Sequence, residues 1–446
     1  MRSHICCAAF FAVVVLPDVY AADEWPQFRG PDGQGRSEAV GLPLQWSESE
    51  NVVWKTELPG EGHSSPVISD DQIWLTAAVT KPLTEEEEQR RLALIKNPNG
   101  LRIAGALSLQ ALLVSRSDGT LQKTMTLFEV ENPEPKHSLN SYASPTPVTA
   151  GEFVYFHFGT YGTACVRRET GDVVWKNNDL HVDHQNGPGS SPIVWNQLLI
   201  IHFDGIDQQF ITALDRFTGD VVWQKKRSGE TDPKPEFQKA YCTPLIVDVN
   251  GEPLLISPAA NWVYGYDPRD GREIWKAHYG KLGFSTVPRP VVQNDVVFIS
   301  TSYLQPRMVA VSYTGVGDVT ETHVRWMSDK QAPRKPSMIA VSDRLYAVSD
   351  NGIATCLKAE DGEELWKARL TGDFSASPLY AEGRIYFFGQ NGTTTVLADS
   401  AELQELARNQ LDDGFMASPA VADRALFLRT EKALYRIENQ SGSSSN

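Results

Sequence analysis

Beyond about residue 50, the chain consists of short apolar runs separated by polar turns that contain Gly, Asp or Asn. The runs are rich in β-branched and aromatic residues. Between Ser191 and Trp223 there are four of them, at residues 192–195, 198–203, 210–214 and 221–223. Short runs of this composition, joined by tight turns, are typical of β-hairpins. The stretch therefore predicts four consecutive antiparallel strands.

The same four-run unit recurs along the chain, and its first run opens with Ser-Pro or Thr-Pro. Six openings are clear and two are degenerate: Ser65-Pro66, Ser144-Pro145, Ser191-Pro192, Thr243-Pro244, Arg289-Pro290, Lys335-Pro336, Ser377-Pro378 and Ser418-Pro419. From Pro145 onward they are 41 to 52 residues apart. This spacing is the period of a four-stranded propeller blade.

A second marker, a Trp near the end of the last run of each unit, gives the same number. Six units carry the Trp, and Met125 and Leu406 fill the two gaps in the series Trp54, Trp175, Trp223, Trp275, Trp326 and Trp366. A large flat ring on an outer strand can fill the space between neighbouring sheets. The two markers together predict an all-β fold, an eight-bladed β-propeller of four-stranded antiparallel blades.

The two ends of the repeat region predict how the ring closes. The last unit, from Pro419, has only three runs, whereas residues 51–58 form a single run before the first opening. We expect residues 51–58 to be the fourth strand of the last blade, because a closed ring leaves no exposed sheet edge. The propeller then spans residues 51–440, and the Ser/Gly-rich residues 441–446 are predicted to be a disordered tail.

Two segments depart from the repeat. Residues 23–50 form an arm rich in Gly and Pro, which we expect to pack against the ring. The first unit is longer than the others, and the excess is residues 81–107. There Thr84 and Glu87 fit a capping box, which predicts a short helix ending before Asn97-Pro98. We interpret this insertion as a solvated decoration in preference to a functional lid.

The N-terminus and the charge limit where the protein can act. A basic start, the apolar residues 5–16 and small residues at Ala21 and Ala22 predict a signal peptide over residues 1–22 and export to the periplasm or cell envelope. The alternative is a buried N-terminal helix. No segment is long enough for a transmembrane helix. The net charge of −15 disfavours nucleic acid as a partner.

Residues 213–223, Ala-Leu-Asp-Arg-Phe-Thr-Gly-Asp-Val-Val-Trp, resemble the tryptophan-docking motif of PQQ quinoproteins. Residues 25–31 and 62–66 resemble a family of exported PQQ-like propellers common in planctomycetes. The resemblance covers nearly the whole mature chain and implies the propeller fold. The motif occurs both in quinoprotein dehydrogenases and in the non-enzymatic BamB-type subunit of the outer-membrane β-barrel assembly machinery, so it leaves the function open.

For a dehydrogenase, the resemblance implies PQQ, a Ca²⁺ held by carboxylate and amide oxygens, an Asp base and often adjacent cysteines. Beyond residue 22 the chain has Cys165, Cys242 and Cys356 and no adjacent pair. No residue matches the Ca²⁺ ligands or the base. Motifs for nucleophilic, phosphate-binding or zinc chemistry are also missing. We therefore expect no catalytic residue, no metal ligand and no cofactor. PQQ with calcium belongs only to the alternative interpretation as a dehydrogenase.

Polar and aromatic residues collect in the loops that join fourth to first and second to third strands, which a propeller places on one face. The tentative ligand- or partner-binding residues at this channel mouth are His63, His137, Asn140, Tyr142, His184, Asn186, Asp204 and Tyr241. We expect His63, Tyr142 and Tyr241 to be equivalent, because each lies three residues before its Pro. The alternative is that these side chains cap loop backbones and line a wet surface.

The sequence favours a non-catalytic binding or scaffold protein. One alternative is a BamB-like assembly factor that docks through edge strands or loops, although the N-terminus lacks the lipobox of that family. The other is a PQQ-dependent quinoprotein dehydrogenase. The expected partner is an envelope protein, a small molecule or a glycan, or components of outer-membrane assembly.

Overall fold

The computed structural model describes residues 24–281 and 283–440. These residues form eight antiparallel four-stranded sheets in a ring, which is the predicted eight-bladed propeller. The predicted signal peptide and tail lie outside the described residues. In the described part of the chain, no helix has the length and apolar character needed to cross a membrane.

Each blade has four strands, which we number 1 to 4 from the axis outward. In blade 1 they are Val67–Ser69, Gln72–Lys81, Ala106–Ser115 and Leu121–Glu131. In blade 2 they are Val148–Ala150, Phe153–His157, Thr163–Arg167 and Val173–Asn177. In blade 3 they are Ile193–Trp195, Leu198–Asp204, Gln209–Asp215 and Val221–Lys226. In blade 4 they are Leu245–Val249, Glu252–Pro258, Trp262–Tyr266 and Glu273–His278.

The second half of the ring repeats the plan. Blade 5 contains Val291–Gln293, Val296–Ser300, Met308–Ser312 and Val324–Ser328. Blade 6 contains Ile339–Val341, Arg344–Val348, Ile353–Lys358 and Glu364–Arg369. Blade 7 contains Leu379–Ala381, Arg384–Phe388, Thr393–Ala398 and Glu405–Gln410. Blade 8 contains Ala420–Ala422, Ala425–Arg429, Ala433–Glu438 and, as strand 4, Val52–Glu57.

Strand 4 of blade 8 confirms the predicted closure of the ring. Val52–Glu57 pairs antiparallel with Ala433–Glu438, and Trp54 lies opposite Arg436. Seven short elements of the described residues lie outside the blades and outside the helix of the insertion. They are the strands Arg36–Ser37, Leu101–Arg102, Lys136–His137 and Gly317–Asp318, the helix Thr320–His323, and the 3-10 turns Gly159–Tyr161 and Pro235–Phe237.

The closing tryptophans join neighbouring blades. The indole N–H of Trp175 donates to the carbonyl of Arg216 in the next blade at 2.9 Å. Trp54, Trp223, Trp326 and Trp366 make the same kind of bond. Gly219 has a φ of +81°, and a side chain there would collide with the Trp175 ring. The glycine of the docking motif therefore lets the ring lie directly on the turn.

The strand register shows that Met125 and Leu406 do not occupy the Trp position of their blades, contrary to the expectation from the sequence. In blade 1 the equivalent residue is Lys123, opposite Leu113, and its ammonium donates to the Thr170 carbonyl. In blade 7 it is Ala407, opposite Val396, one residue beyond Leu406. Trp46 of the arm stacks on Tyr386 at 6.4 Å in the same core as Ala407, so it supplies the missing ring. Run length alone cannot fix a register where the marker residue is absent.

Two of the eight openings also shift by two residues. Strand 1 of blade 2 follows Thr146-Pro147, and strand 1 of blade 6 follows Ser337-Met338. Blade 2 has two prolines, Pro145 and Pro147, and the second forms the opening, whereas in blade 6 the position of the opening proline is Met338 and Pro336 lies two residues before it. The true register is shown by hydroxyl bonds between neighbouring blades: Ser65 N–H donates to Thr146 Oγ1 at 2.9 Å, and Ser337 N–H donates to Ser377 Oγ at 3.0 Å.

The insertion contains the predicted helix, Glu85–Leu92. Its N-cap is Thr84, whose hydroxyl accepts the N–H of Glu87 at 3.2 Å, and four acidic residues occupy the first turn. No residue of the helix is buried. Strand 2 of blade 1 continues to Lys81 and strand 3 begins at Ala106, so the insertion proper is residues 82–105.

The arm, which was expected to pack against the ring, lies inside it. Trp25 exchanges two backbone hydrogen bonds of 2.9 Å with Ile68 in strand 1 of blade 1. The Gln34 side chain accepts the Val292 N–H of blade 5 at 2.8 Å. Arg36–Ser37 pairs in parallel with strand 1 of blade 7. Because these partners are innermost strands around the axis, the arm crosses the axial channel and closes it.

Candidate functional site

A pocket of about 680 Å³ lies at the channel mouth, on the face that carries the 4-to-1 and 2-to-3 loops. Phe28 of the arm is part of its lining. Because the arm fills the channel beyond, the pocket is blind. Its volume is in the range of small-molecule sites.

With the corrected register, the residue three before each opening lines this pocket in all eight blades. The eight residues are His63, Ser144, Gly189, Tyr241, Val287, Lys335, Ser375 and Met416. The predicted placement is therefore confirmed for His63 and Tyr241. It is wrong for Tyr142, because the opening of blade 2 lies two residues later than the sequence analysis placed it.

Five of the eight predicted site residues line the pocket: His63, His137, Asn140, Asn186 and Tyr241. Their role in binding stays a prediction. Two of the five hold the loops in place. Asn140 donates to the carbonyls of Asn186 and Pro188 at 2.8 and 3.1 Å, and the Tyr241 hydroxyl donates to the His184 carbonyl at 2.6 Å.

The other three predicted residues are placed elsewhere. Tyr142 is 1% exposed in the core between blades 1 and 2, and its hydroxyl donates to the Glu134 carbonyl. Asp204 is buried in a strand and forms an ion pair of 2.7 Å with Arg227. His184 is buried beneath the loops, where its Nε2 accepts the Thr160 N–H at 3.2 Å. These side chains stabilise the fold.

One wall of the pocket was not predicted. Phe237, Phe284 and Tyr303 form a row, with ring centroids 4.6 and 5.9 Å apart. The Lys239 ammonium lies 5.7 Å from the Phe284 ring, and the Arg334 guanidinium 5.8 Å from the Tyr303 ring. These residues lie in the 4-to-1 and 2-to-3 loops, so their position in the loops could have marked them as candidates for the pocket lining. Their side-chain types do not recur at a fixed repeat position, so the repeat gave no signal.

The insertion contributes to the rim of the pocket. Its residues Asn97, Asn99 and Leu101 line the mouth, and the Lys96 ammonium lies 3.9 Å from the Glu236 carboxylate. The helix of the insertion has no buried residue, whereas the loop that follows it forms part of the pocket. The interpretation of the insertion as a solvated decoration stays a prediction.

The mouth is locally rich in cations, although the whole chain is acidic. Burial, followed by the charges of Arg429, Lys136 and Lys335, lowers the pKa of His63 from its ordinary value of 6.5 to about 3. Burial and the charges of Lys335 and Lys136 also lower the pKa of His137. Both imidazoles are therefore neutral at pH 7. Burial lowers the pKa of Lys239 to about 8.

For a dehydrogenase, the resemblance implies PQQ and a Ca²⁺ held by carboxylate and amide oxygens. Among residues 24–281 and 283–440, no three His, Cys, Asp or Glu side chains are placed to hold a metal ion together. The three described cysteines are free, buried and in different blades.

His184 gives a prediction about pH. Burial lowers its pKa from 6.5 to about 4, so unfolding takes up a proton below pH 6.5, and this side chain makes the protein less stable as pH falls from about 6.5 towards 4. His184→Gln should reduce the loss in free energy of unfolding between pH 7 and pH 5 by about 2 kcal/mol. Urea unfolding at both pH values measures this. An exposed control, His181→Gln, should leave the loss unchanged, and an equal loss in the His184 variant would contradict the assignment.

Comparison with known proteins places the chain in a family. The family model described as outer membrane protein assembly factor BamB matches residues 40–233, 143–368 and 259–404. BamB of Yersinia pestis is 23% identical over 203 residues, which are 42% of this chain and 49% of that protein. The chain thus spans about half the length of this relative.

Two solved structures share the fold. BamB from Moraxella catarrhalis has a TM-score of 0.56 and 12% identity, over 88% of this chain and 99% of that one. A europium-containing methanol dehydrogenase has a TM-score of 0.63 and 9% identity, over 93% of this chain and 91% of that one. At these identities the likeness concerns the fold alone. Together with the family match over most of its length, the repeat and the docked tryptophans, this shows that the chain belongs to the BamB family of PQQ-type propellers.

Proposed function

We propose that the protein is an exported, non-catalytic binding or scaffold protein of the periplasm or cell envelope, and that its mouth pocket makes the contact. One observation carries the proposal: loops from all eight blades converge on one blind pocket. Loops held by a rigid scaffold are where binding residues usually lie. Export is supported by the N-terminal sequence and by the outer-membrane role in the names of the relatives.

The carboxylates of the pocket support a role without catalysis. Asp350 accepts the backbone N–H groups of Arg334 and Lys335, and Glu236 faces Lys96. Groups engaged in this way are poor general bases, since a base needs a free lone pair near its substrate. An assay of PQQ-dependent dye reduction with Ca²⁺ tests this point, and robust turnover would contradict the proposal.

The binding test uses two exposed apolar side chains of the pocket. Tyr303 is 49% exposed and Leu139 is 50% exposed, so replacing both with Ala should leave the fold intact. Tyr241 is less suitable, because it is buried and holds a loop. We expect Tyr303→Ala with Leu139→Ala to weaken binding at least tenfold, about 1.4 kcal/mol. The measurement is the affinity for ligands that wild type retains from an envelope extract, identified by mass spectrometry.

The matched control is Phe217→Ala with Val222→Ala, an exposed aromatic and aliphatic pair of blade 3, in the turn before strand 4 and on strand 4. This control should retain the ligands of wild type. If the control loses them and the mouth variant keeps them, the contact lies on the outer wall and the proposal fails.

A second candidate function is BamB-like assembly of outer-membrane proteins. The match to the BamB family model is the observation that favours it. In this case the full-length protein should co-purify with barrel-assembly components from its own envelope, and their absence from the eluate would count against this candidate.

A further inference from the structure

The two walls of the mouth pocket differ in chemistry. One wall carries the aromatic row Phe237, Phe284 and Tyr303, with Lys239 beside the middle ring and Arg334 beside Tyr303 at one end. Another part of the lining, from the opening of blade 1 and the insertion, carries the neutral His63 and the amides Asn97 and Asn99. A ligand in the pocket therefore meets aromatic rings and cations as well as neutral hydrogen-bonding groups.

Positive charge also lies beneath the pocket. Arg29, Arg289 and Arg429 are at most 2% exposed, and none has a carboxylate within 4 Å in the described part of the chain. Their hydrogen bonds go to neutral groups, as when Arg429 donates to the carbonyl and hydroxyl of Ser64. Such bonds to neutral groups leave the charge uncompensated, and its field is only weakly screened in the protein interior.

The acidic groups of the pocket do not cancel this charge. Asp350 has the Lys335 ammonium at 3.5 Å, and Glu236 has the Lys96 ammonium at 3.9 Å. Lys239 and Arg334 then have no ion pair with any of the described residues, and both line the pocket. The unneutralised charge that a ligand meets is therefore positive.

Building on the proposed function, we propose that the pocket binds a carboxylated sugar of the uronic acid class, within a short oligosaccharide. The cations Arg334 and Lys239 attract the carboxylate. The amides of Asn97 and Asn99 can both donate to and accept from sugar hydroxyls. The exposed ring of Tyr303 offers an apolar face against which the C–H face of a sugar ring can pack. A simple anion would use the cations alone, and a neutral sugar would use only the other two groups.

The test compares acidic oligosaccharides with their carboxyl-reduced forms. The full-length secreted protein is titrated with oligogalacturonate, oligomannuronate and a glucuronate-containing oligosaccharide, and each is paired with its reduced, neutral counterpart. At least one acidic form should bind tenfold or more tightly than its counterpart. Added salt should weaken that binding, because the attraction is electrostatic.

A charge variant locates the site. Arg334→Gln should weaken binding of the acidic form about tenfold and leave the reduced form unchanged. Arg325→Gln removes the same charge from an exposed site on strand 4 of blade 5 and should change the affinity less than twofold.

The remaining outcomes overturn the inference. They are no binding of any acidic oligosaccharide, equal binding of acidic and reduced forms, or binding of benzoate or PQQ as tight as that of the best oligosaccharide. None of these outcomes contradicts the proposed function, which is tested separately with the Tyr303 and Leu139 double variant and the ligands that wild type retains from an envelope extract.

Discussion

A protein that lacks residues up to Leu58 is expected to lose several kcal/mol in its free energy of unfolding. The deletion removes strand Val52–Glu57, so blade 8 is left with an open edge along Ala433–Glu438. It also removes Trp54, whose ring lies 6.0 Å from that of Phe427 and whose indole bonds to the next blade. The arm that crosses the channel is lost as well.

Urea unfolding of the deletion variant and of point variants measures the effect. Trp54→Ala should account for about 3 kcal/mol, since it removes a large ring from a blade interface. Val222→Ala, on an exposed outer strand, should stay within about 0.5 kcal/mol of wild type. An unchanged unfolding midpoint after the deletion would exclude a structural role for this closure.

The number of blades could be predicted because it depends on a period and not on exact register. Moving the opening from Pro145 to Pro147 changes no count, and neither does moving the Trp equivalent from Leu406 to Ala407. The same two-residue error decides which side chain faces the axis. It placed Tyr142 at the mouth, although Ser144 occupies that position.

The part of the site that the sequence missed depends on contacts between distant segments. Gly- and Pro-rich arms carry no periodic pattern, so nothing in residues 23–50 indicates that Arg29 reaches the Met338 carbonyl at 2.6 Å. The pairing of Leu101 with His137 likewise brings the insertion to the rim. The face of the ring was predictable from strand order, whereas the walls of the pocket were not.

Arg289 is one of the side chains of the ring that hold the arm in the channel. Its guanidinium donates to the Phe28 carbonyl, to the Pro244 carbonyl at 3.2 Å and to the Gln27 side chain at 3.0 Å. Arg289 is 2% exposed and precedes Pro290 at the opening of blade 5. One side chain thus joins the arm to blades 4 and 5.

Arg289→Ala is expected to lower the free energy of unfolding by about 3 to 5 kcal/mol, because buried carbonyls lose their donor and a cavity remains. The variant should also expose the arm to proteolysis, which a fragment map would show. Arg325→Ala, exposed on strand 4 of the same blade, should change neither quantity. A normal urea midpoint with an intact arm would mean that Arg289 is dispensable.

Two glycines allow the packing of the arm against Arg289 to be distinguished from the backbone strain that any alanine causes at a left-handed position. Gly33 and Gly383 both have a φ of +70°, so either replacement by Ala costs about 1 to 2 kcal/mol for the left-handed backbone. A Cβ at Gly33 would overlap the Arg289 guanidinium, whereas a Cβ at Gly383 meets nothing within 4 Å. Gly33→Ala should therefore lower the urea midpoint clearly more than Gly383→Ala and release the arm to protease. Equal losses in the two variants would show that the arm is not packed against Arg289, since the backbone cost is the same in both.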